Sequence, residues 1–256
     1  MTTSDFQQMK GKYNGTIPSE PPDGEIQTFL RPKYTFHSNF RKKIPSKVVT
    51  TKAGRYYTTP DGNKYPSITT VLGKTKSQKD VEKLEKWKKK LGHEAAAKEL
   101  TRAANRGTAL HKLCEDFLEY PGEEFNRPWD KSIKLFKQIH PLLSRIGEVH
   151  VIEGVLYSDI LRVAGRCDLI ATFDDKVSVI DFKGSTKPKE PEWINDYFIQ
   201  ETFYGVAYGA LYAPCKVEQI VTIIAVESTG ENQIFIRNPQ DYVLQLFNRI
   251  KQNHNG

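Results

Sequence analysis

The stretch GRCDLIATFDDKVSVIDFKGSTK, residues 165–187, decides how the chain is read. It holds two apolar runs joined by Asp174-Asp175, with Asp168, Asp181 and Lys183 set near their ends. A two-residue connection of this kind is hairpin chemistry. Alternate residues of a strand share a face, so Asp181 and Lys183 point one way and Phe182 the other. Charged groups beside a run such as Val177-Ser178-Val179-Ile180 must be paired, hydrated or bound to metal. Two carboxylates brought together repel, and a divalent cation relieves the repulsion. Mg²⁺ takes oxygen ligands and keeps places for water and phosphate oxygens. A lysine beside such a cation can position an attacking water or stabilise charge on a phosphate. Glu153, on the preceding strand-like run, can add a carboxylate. The competing reading of the same residues is a structural Asp–Lys pair at a strand end.

Working outward, EVHVIEGVLYS, RVAGRCDLIATF and KVSVIDFK read as three consecutive strands. Helical patterns precede them, from about Glu94 to Tyr120 and from about Trp129 to Ile146. EWINDYFIQETFYGVAYGALY follows as a helix that stops at Pro214. KVEQIVTIIAVES and NQIFIR are further strands, and Asn238-Pro239 opens a last helix bearing Tyr242, Val243, Leu246, Phe247 and Ile250 on one face. Strands and helices mixed in this order predict an α/β fold, a mixed central sheet flanked by helices.

Upstream, GRYYTTPDGNKYPSITTVL reads as a β-hairpin about Pro60-Asp61-Gly62-Asn63. SQKDVEKLEKWKKKLG reads as an amphipathic helix with Val81, Leu84, Trp87 and Leu91 on its apolar stripe, so Trp87 is expected in the core. Residues 1–45 are rich in Pro, Gly and polar residues and are expected to form a partly disordered basic arm. Residues 46–256 are then one domain: a hairpin and basic helix over 46–100 that cover the site, and a core over 101–256.

The net charge is +7, and it is unevenly spread: residues 1–100 carry 20 Lys and Arg against 10 Asp and Glu. A basic front half suits a polyanionic partner, as well as a merely solvated surface. No apolar run approaches the roughly 18 residues a membrane helix needs. The N-terminal residues have neither a signal-peptide core nor the Arg-rich, acid-poor character of a transit peptide, so a cytoplasmic location is expected. Cys114, Cys167 and Cys215 are too few and too scattered for a disulfide framework or a metal knuckle, and read as small apolar residues.

Further candidate residues lie on helices. His111 and Glu115 share a face, as do Gln200, Tyr204 and Tyr208. Each alone is most simply a packed helix face. Taken in order, however, RGTALH (residues 106–111), Glu153, GRCD (165–168), IDFK (180–183) and QETFY (200–204) resemble the RecB-like branch of the PD-(D/E)-x-K nucleases. YPSITTVLGKTKSQKDVEKLEKWKKKLG and VIDFKGSTKPK are similar to segments of the mitochondrial genome maintenance exonucleases and their phage relatives within that branch. The resemblance covers roughly Tyr65 to Tyr212.

The resemblance implies the PD-(D/E)-x-K nuclease fold and a set of roles. His111, Asp168, Asp181 and the Phe182 carbonyl would bind Mg²⁺ or Mn²⁺, with Glu153 assisting. Lys183 would act on the water or the scissile phosphate, and Gln200 and Tyr204 would orient the site or touch nucleic acid. Arg106, Lys86, Lys88, Lys89, Lys90, Ser185, Thr186 and Lys187 would contact DNA. Some members of the branch carry an iron–sulfur cluster on four cysteines; with three, this chain is expected to have none. The implied activity is a metal-dependent deoxyribonuclease, an exonuclease on single-stranded DNA in replication, recombination or repair. It would be a monomer in a bacterial or phage-infected cell, alongside replication or recombination proteins. An endonuclease on the same fold and a non-catalytic DNA-binding recombination factor stay open at this stage.

Overall fold

The computed structural model describes residues 20–38, 40, 46–120 and 122–255. Its strands are β1 (Ile26–Leu30), β2 (Thr35–Phe36), β3 (Lys47–Thr51), β4 (Gly54–Thr58), β5 (Lys64–Pro66), β6 (Glu124–Pro128), β7 (Ile146–Ser158), β8 (Val163–Phe173), β9 (Lys176–Ser185), β10 (Gln219–Val226) and β11 (Asn232–Arg237). The helices are α1 (Ile68–Lys74), α2 (Gln78–Leu91), α3 (His93–Glu119), α4 (Lys131–Leu143), α5 (Asn195–Leu211) and α6 (Gln240–Asn255).

The centre is a mixed six-stranded sheet in the order β11-β10-β9-β8-β7-β2, the α/β architecture expected from the sequence. The β7–β8–β9 meander is antiparallel, while β10 joins β9 in parallel after the α5 crossover. The β8–β9 connection is the two-residue Asp174-Asp175 turn, and both residues have positive φ, 50° and 63°, as a primed turn requires. All eight residues of β10 are buried, which is why it reads as one apolar run rather than an alternation. One face of the sheet packs Ile180, Phe182 and Ile223 against α3 and α4 through Leu110, Phe117, Phe136 and Ile139. The other face packs Val179, Ile220 and Ile224 against α1, α5 and α6 through Val71, Phe203 and Leu246. Cys114 and Cys167 are buried and free, within these two layers.

Three expectations need correction. Within the expected arm, residues 20–38 hold β1, which pairs with β6, and β2, which pairs in parallel with β7; residues 1–19, 39 and 41–45 lie outside the described residues. Phe29 and Tyr34 are core residues there. Both pairings join segments over 90 residues apart, so no local turn announces them. The hairpin β4–β5 is real, and β3 adds a third strand. Its SITTVL continuation, however, is helix α1: Ser67 caps it, accepting a hydrogen bond from the Thr70 N–H at 3.0 Å, and Ile68, Val71 and Leu72 bury one side. Helix α2 forms as expected, but it has no buried residue, and Trp87 is 36% exposed rather than in the core. Among the described residues no helix is long and apolar enough to cross a membrane.

Candidate metal and catalytic site

Pairing between β8 and β9 runs from Phe173–Lys176 to Leu169–Ile180 and ends there. The next backbone groups of β9 go to side chains. The Phe182 N–H donates to Asp168 Oδ2 at 3.0 Å, and the Phe182 carbonyl lies 2.5 Å from His111 Nε2. The end of the ladder is thus a socket that receives helix α3. His111 is presented by the buried half of that helix, beside Leu110 and Cys114.

The other imidazole nitrogen faces acid. His111 Nδ1 is 3.4 Å from Asp168 Oδ1 and 3.9 Å from Glu153 Oε1. One donor atom from each of His111, Glu153 and Asp168 lies within 4.8 Å of the others. Glu153 stands between the register pairs Ile152–Leu169 and Gly154–Cys167, hence across from Asp168. Its φ is +46°, unfavourable for a residue with a Cβ and a strain typical of working sites.

Asp181 lies behind this group, 2% exposed, and forms an ion pair with Lys183 through Oδ2. Its Oδ1 has no donor among the described residues. Lys183 lies 5.1 Å from the Tyr197 ring, where its charge meets the π face. Beneath Asp181, the fully buried Glu201 accepts from Thr222 Oγ1 at 2.5 Å, and Thr222 is the β10 partner of Asp181.

Electrostatics separate these groups. Burial works against the Asp168 carboxylate, but His111, Lys183 and the Phe182 N–H outweigh it and hold its pKa below the usual range. Burial pushes Asp181 up, against the pull of Lys183. Glu153 is raised to about 7 by burial and by neighbouring Asp168. Burial lowers His111, yet Asp168 overcomes this and brings it up to about 9. Lys183 is raised because Asp181 and Asp168 outweigh its own burial. Burial pushes the Glu201 carboxyl well above the usual carboxylate range.

A partnerless buried carboxylate oxygen on Asp181 and a converging His-Glu-Asp set are what a hard divalent cation would satisfy. The donor set fits Mg²⁺ or Mn²⁺, with the imidazole better suited to Mn²⁺.

In front of these groups is a cleft of about 590 Å³, whose lining includes His111, Glu153, Asp168, Lys183, Gln200 and Tyr204. The structure therefore gathers five of the sequence-predicted side chains around His111. Gln200 Nε2 donates to Tyr204 Oη at 3.4 Å, and the Tyr204 ring packs on Gly165. A Cβ on Gly165 would sit 2.8 Å from Tyr204 Cε1, which explains a glycine at this point of GRCD.

Other predicted residues lie elsewhere. Arg106 does not line the cleft: its Nη1 donates to Glu227 Oε2 at 2.8 Å, and its side chain is 9% exposed. The buried Ser185 hydroxyl donates to the Lys187 carbonyl at 2.6 Å, closing its own turn rather than facing a ligand. Thr186 and Lys187 are exposed after β9. Lys86, Lys88, Lys89 and Lys90 sit on α2, outside the cleft lining, and Lys88 pairs with Glu85 at 2.7 Å. The hairpin does reach the cleft, through Arg55 and Tyr57. Sequence reasoning missed those two, as well as Tyr197 and Glu201. For the latter pair a signal existed, since residues 197, 201, 204 and 208 follow helical spacing.

The chain matches a family model, "PD-(D/E)XK nuclease superfamily", over residues 79–253. It is 29% identical over 147 residues to "Mitochondrial genome maintenance exonuclease 1" of Homo sapiens, covering 55% of this chain and 40% of that protein. The protein of the same name from Mus musculus is 28% identical over 131 residues, covering 50% of this chain and 39% of the relative. That of Xenopus tropicalis is 27% identical over 150 residues, covering 57% and 43%. The chain thus spans about two fifths of the length of these relatives.

Proposed function

Because the chain belongs to the PD-(D/E)XK nuclease superfamily, we propose that it is a Mg²⁺- or Mn²⁺-dependent deoxyribonuclease that degrades single-stranded DNA from free ends. The observation that carries the chemistry is the convergence of His111, Glu153 and Asp168 in front of the buried Asp181–Lys183 pair. Attack at ends rests on the kinship to exonucleases, while single-strand preference and the 5′ end are carried over from the motif resemblance alone.

A divalent cation would be held by His111, Glu153, Asp168 and Asp181, and would supply charge neutralisation at the phosphate and a more acidic bound water. The chain's own residues divide the remaining work. Phe182 fixes His111 and Asp168 through its two backbone groups, so both side chains are set before substrate arrives. Lys183 places an ammonium at the cleft wall, where negative charge grows on a phosphate oxygen during hydrolysis. Asp181 and Tyr197 keep that ammonium charged and pointed. Gln200 and Tyr204 form the polar rim on the α5 side.

The test uses one sequence in two forms, a linear and a circular single strand, with Mg²⁺. The expected result is fast loss of the linear form, slow attack on blunt duplex and an intact circle. Comparable cutting of the circle would make this chain an endonuclease. Binding of both forms with no cutting in either Mg²⁺ or Mn²⁺ would make it a DNA-binding factor instead.

A further inference from the structure

Four lysine and arginine side chains line the cleft beside His111, and their charges are unequally committed. Lys183 pairs with Asp181. Lys112 bridges Glu115 at 3.0 Å and Asp116 at 2.9 Å. Arg166 reaches Glu153 only at 4.0 Å, with its side chain 52% exposed. Arg55 is exposed, and no carboxylate among the described residues lies within ion-pair distance of it.

Arg55 is nevertheless fixed at its backbone. Its N–H donates to Thr70 Oγ1 at 2.9 Å, and its carbonyl accepts from the Ser67 N–H at 2.8 Å. Gly54 before it has φ +127°, and a Cβ there would fall 2.3 Å from Thr70 Cγ2. Helix α1 therefore clamps the start of β4, and the Arg55 side chain leaves from a held base into the cleft. Arg166 comes from a second sheet, on β8, two residues before Asp168 and next to Gly165 beneath Tyr204. Two arginines from two sheets thus border one mouth.

That mouth also carries Glu115, Glu153 and Asp168, which repel a polyanion. A nucleic-acid strand brings a negative charge with every nucleotide. A guanidinium that is not already neutralised is the group best shaped to take a phosphate, by paired hydrogen bonds. Resting on the nuclease reading above, we infer that Arg55 and Arg166 form a second phosphate subsite, holding the nucleotide beside the cleaved bond and so fixing where along the strand the cut falls.

The experiment measures binding of a labelled single-stranded oligonucleotide in Mg²⁺, with Asp181→Asn as the parent to suppress cutting. Adding Arg55→Ala should weaken binding roughly tenfold and lower the salt slope by about 1. Arg55→Lys should fall between, since it keeps the charge but loses the fork. Arg166→Ala should act in the same direction. One methylphosphonate replacing the neighbouring phosphate should weaken binding to the parent by the same factor, and have no further effect on Arg55→Ala. Mn²⁺ titrations and melting temperature should not move with Arg55→Ala. Parent-like affinity and slope in Arg55→Ala, or a full methylphosphonate effect surviving in it, would overturn the subsite alone. A wild-type chain that neither binds nor cuts single-stranded DNA would overturn the nuclease reading, and the subsite with it.

Discussion

His111 Nδ1 stands 3.4 Å from Asp168 Oδ1, so in the metal-free protein the imidazole is favoured as a cation up to about pH 9. The pH consequence follows from the sign of two shifts. His111 rises from 6.5 to about 9; its favourable contribution is complete below pH 6.5 and is lost as pH climbs through about 9. Glu153 rises from 4.5 to about 7; its neutral form suits the fold, so that contribution fades as pH climbs from 4.5 through about 7. The metal-free protein should therefore melt at lower temperature as pH rises from about 5 to 9. His111→Gln should flatten the upper half of that fall. A cation must displace the same protons, so Mn²⁺ affinity should increase over this range, with proton release seen by calorimetry in buffers of different ionisation heat. A melting temperature that rises between pH 7 and 9 would contradict the His111–Asp168 assignment.

Asp181 and Lys183 are expected to separate chemistry from folding. Asp181→Asn should abolish cleavage while DNA binding is kept or strengthened, because a buried negative charge near phosphate is removed. Lys183→Ala should slow turnover by about a hundredfold or more, on the order of 3 kcal/mol in the barrier. It should also lower stability by roughly 3 kcal/mol, because the buried Asp181 carboxyl loses its partner. The double variant Asp181→Asn/Lys183→Ala should recover most of that stability and none of the activity. Recovery of both would reduce the pair to scaffolding.

Gly165→Ala tests packing under the catalytic rim. The new methyl would meet Tyr204 Cε1 at 2.8 Å and Ile68 Cγ2 at 3.2 Å. The expected cost is about 1–3 kcal/mol of stability, with Tyr204 displaced toward Gln200. An unchanged melting curve would mean that Tyr204 moves freely.

Arg106 offers a contrast between two roles. If the Glu227 contact is what it does, Arg106→Ala and Glu227→Gln should lower the melting temperature alike. The charge-reversed double variant should restore part of the loss. A DNA-affinity defect in Arg106→Ala with no thermal effect would return it to the nucleic-acid contacts.

The lysines of α2 are expected to attract backbone phosphates from outside the cleft. Neutralising Lys86, Lys88, Lys89 and Lys90 together should flatten the salt dependence of DNA binding. Trp87, being partly exposed, should cost less than about 1 kcal/mol as Trp87→Ala, far below a core tryptophan. A change of Trp87 fluorescence on DNA binding would place the strand along this helix.

The legible parts of the molecule were those with short-range rules. The β8–β9 turn, the capped last helix and the all-apolar β10 announce themselves locally. Asp168 and Asp181 stood out as charges set into apolar runs, whereas His111 was singled out only by the order of motifs that carries the family resemblance. What stayed hidden depended on distance. Nothing near Phe29 or Thr35 says that a strand about 100 residues away will pair with it. The α2 stripe misled for a related reason: its period is helical, but the fold supplies no facing layer to bury Trp87. Arg106 sits within a motif that carries His111, yet it lies five residues earlier, on a side of α3 that meets Glu227.

The two-residue strand β2 has a consequence out of proportion to its length. It pairs with β7 at Glu148 and Val149, and the residues leading to it supply Phe29 and Tyr34, whose hydroxyl donates to the Leu143 carbonyl at 3.1 Å. A chain trimmed to begin at residue 46 would keep all the metal-site and cleft residues. It would also leave Glu148 and Val149 of β7 without their backbone partners beside a core opened by the loss of Phe29 and Tyr34, a start for adding strands from other molecules. Such a trimmed chain should assemble into insoluble aggregates, while one trimmed only to residue 20 should stay monodisperse in light scattering.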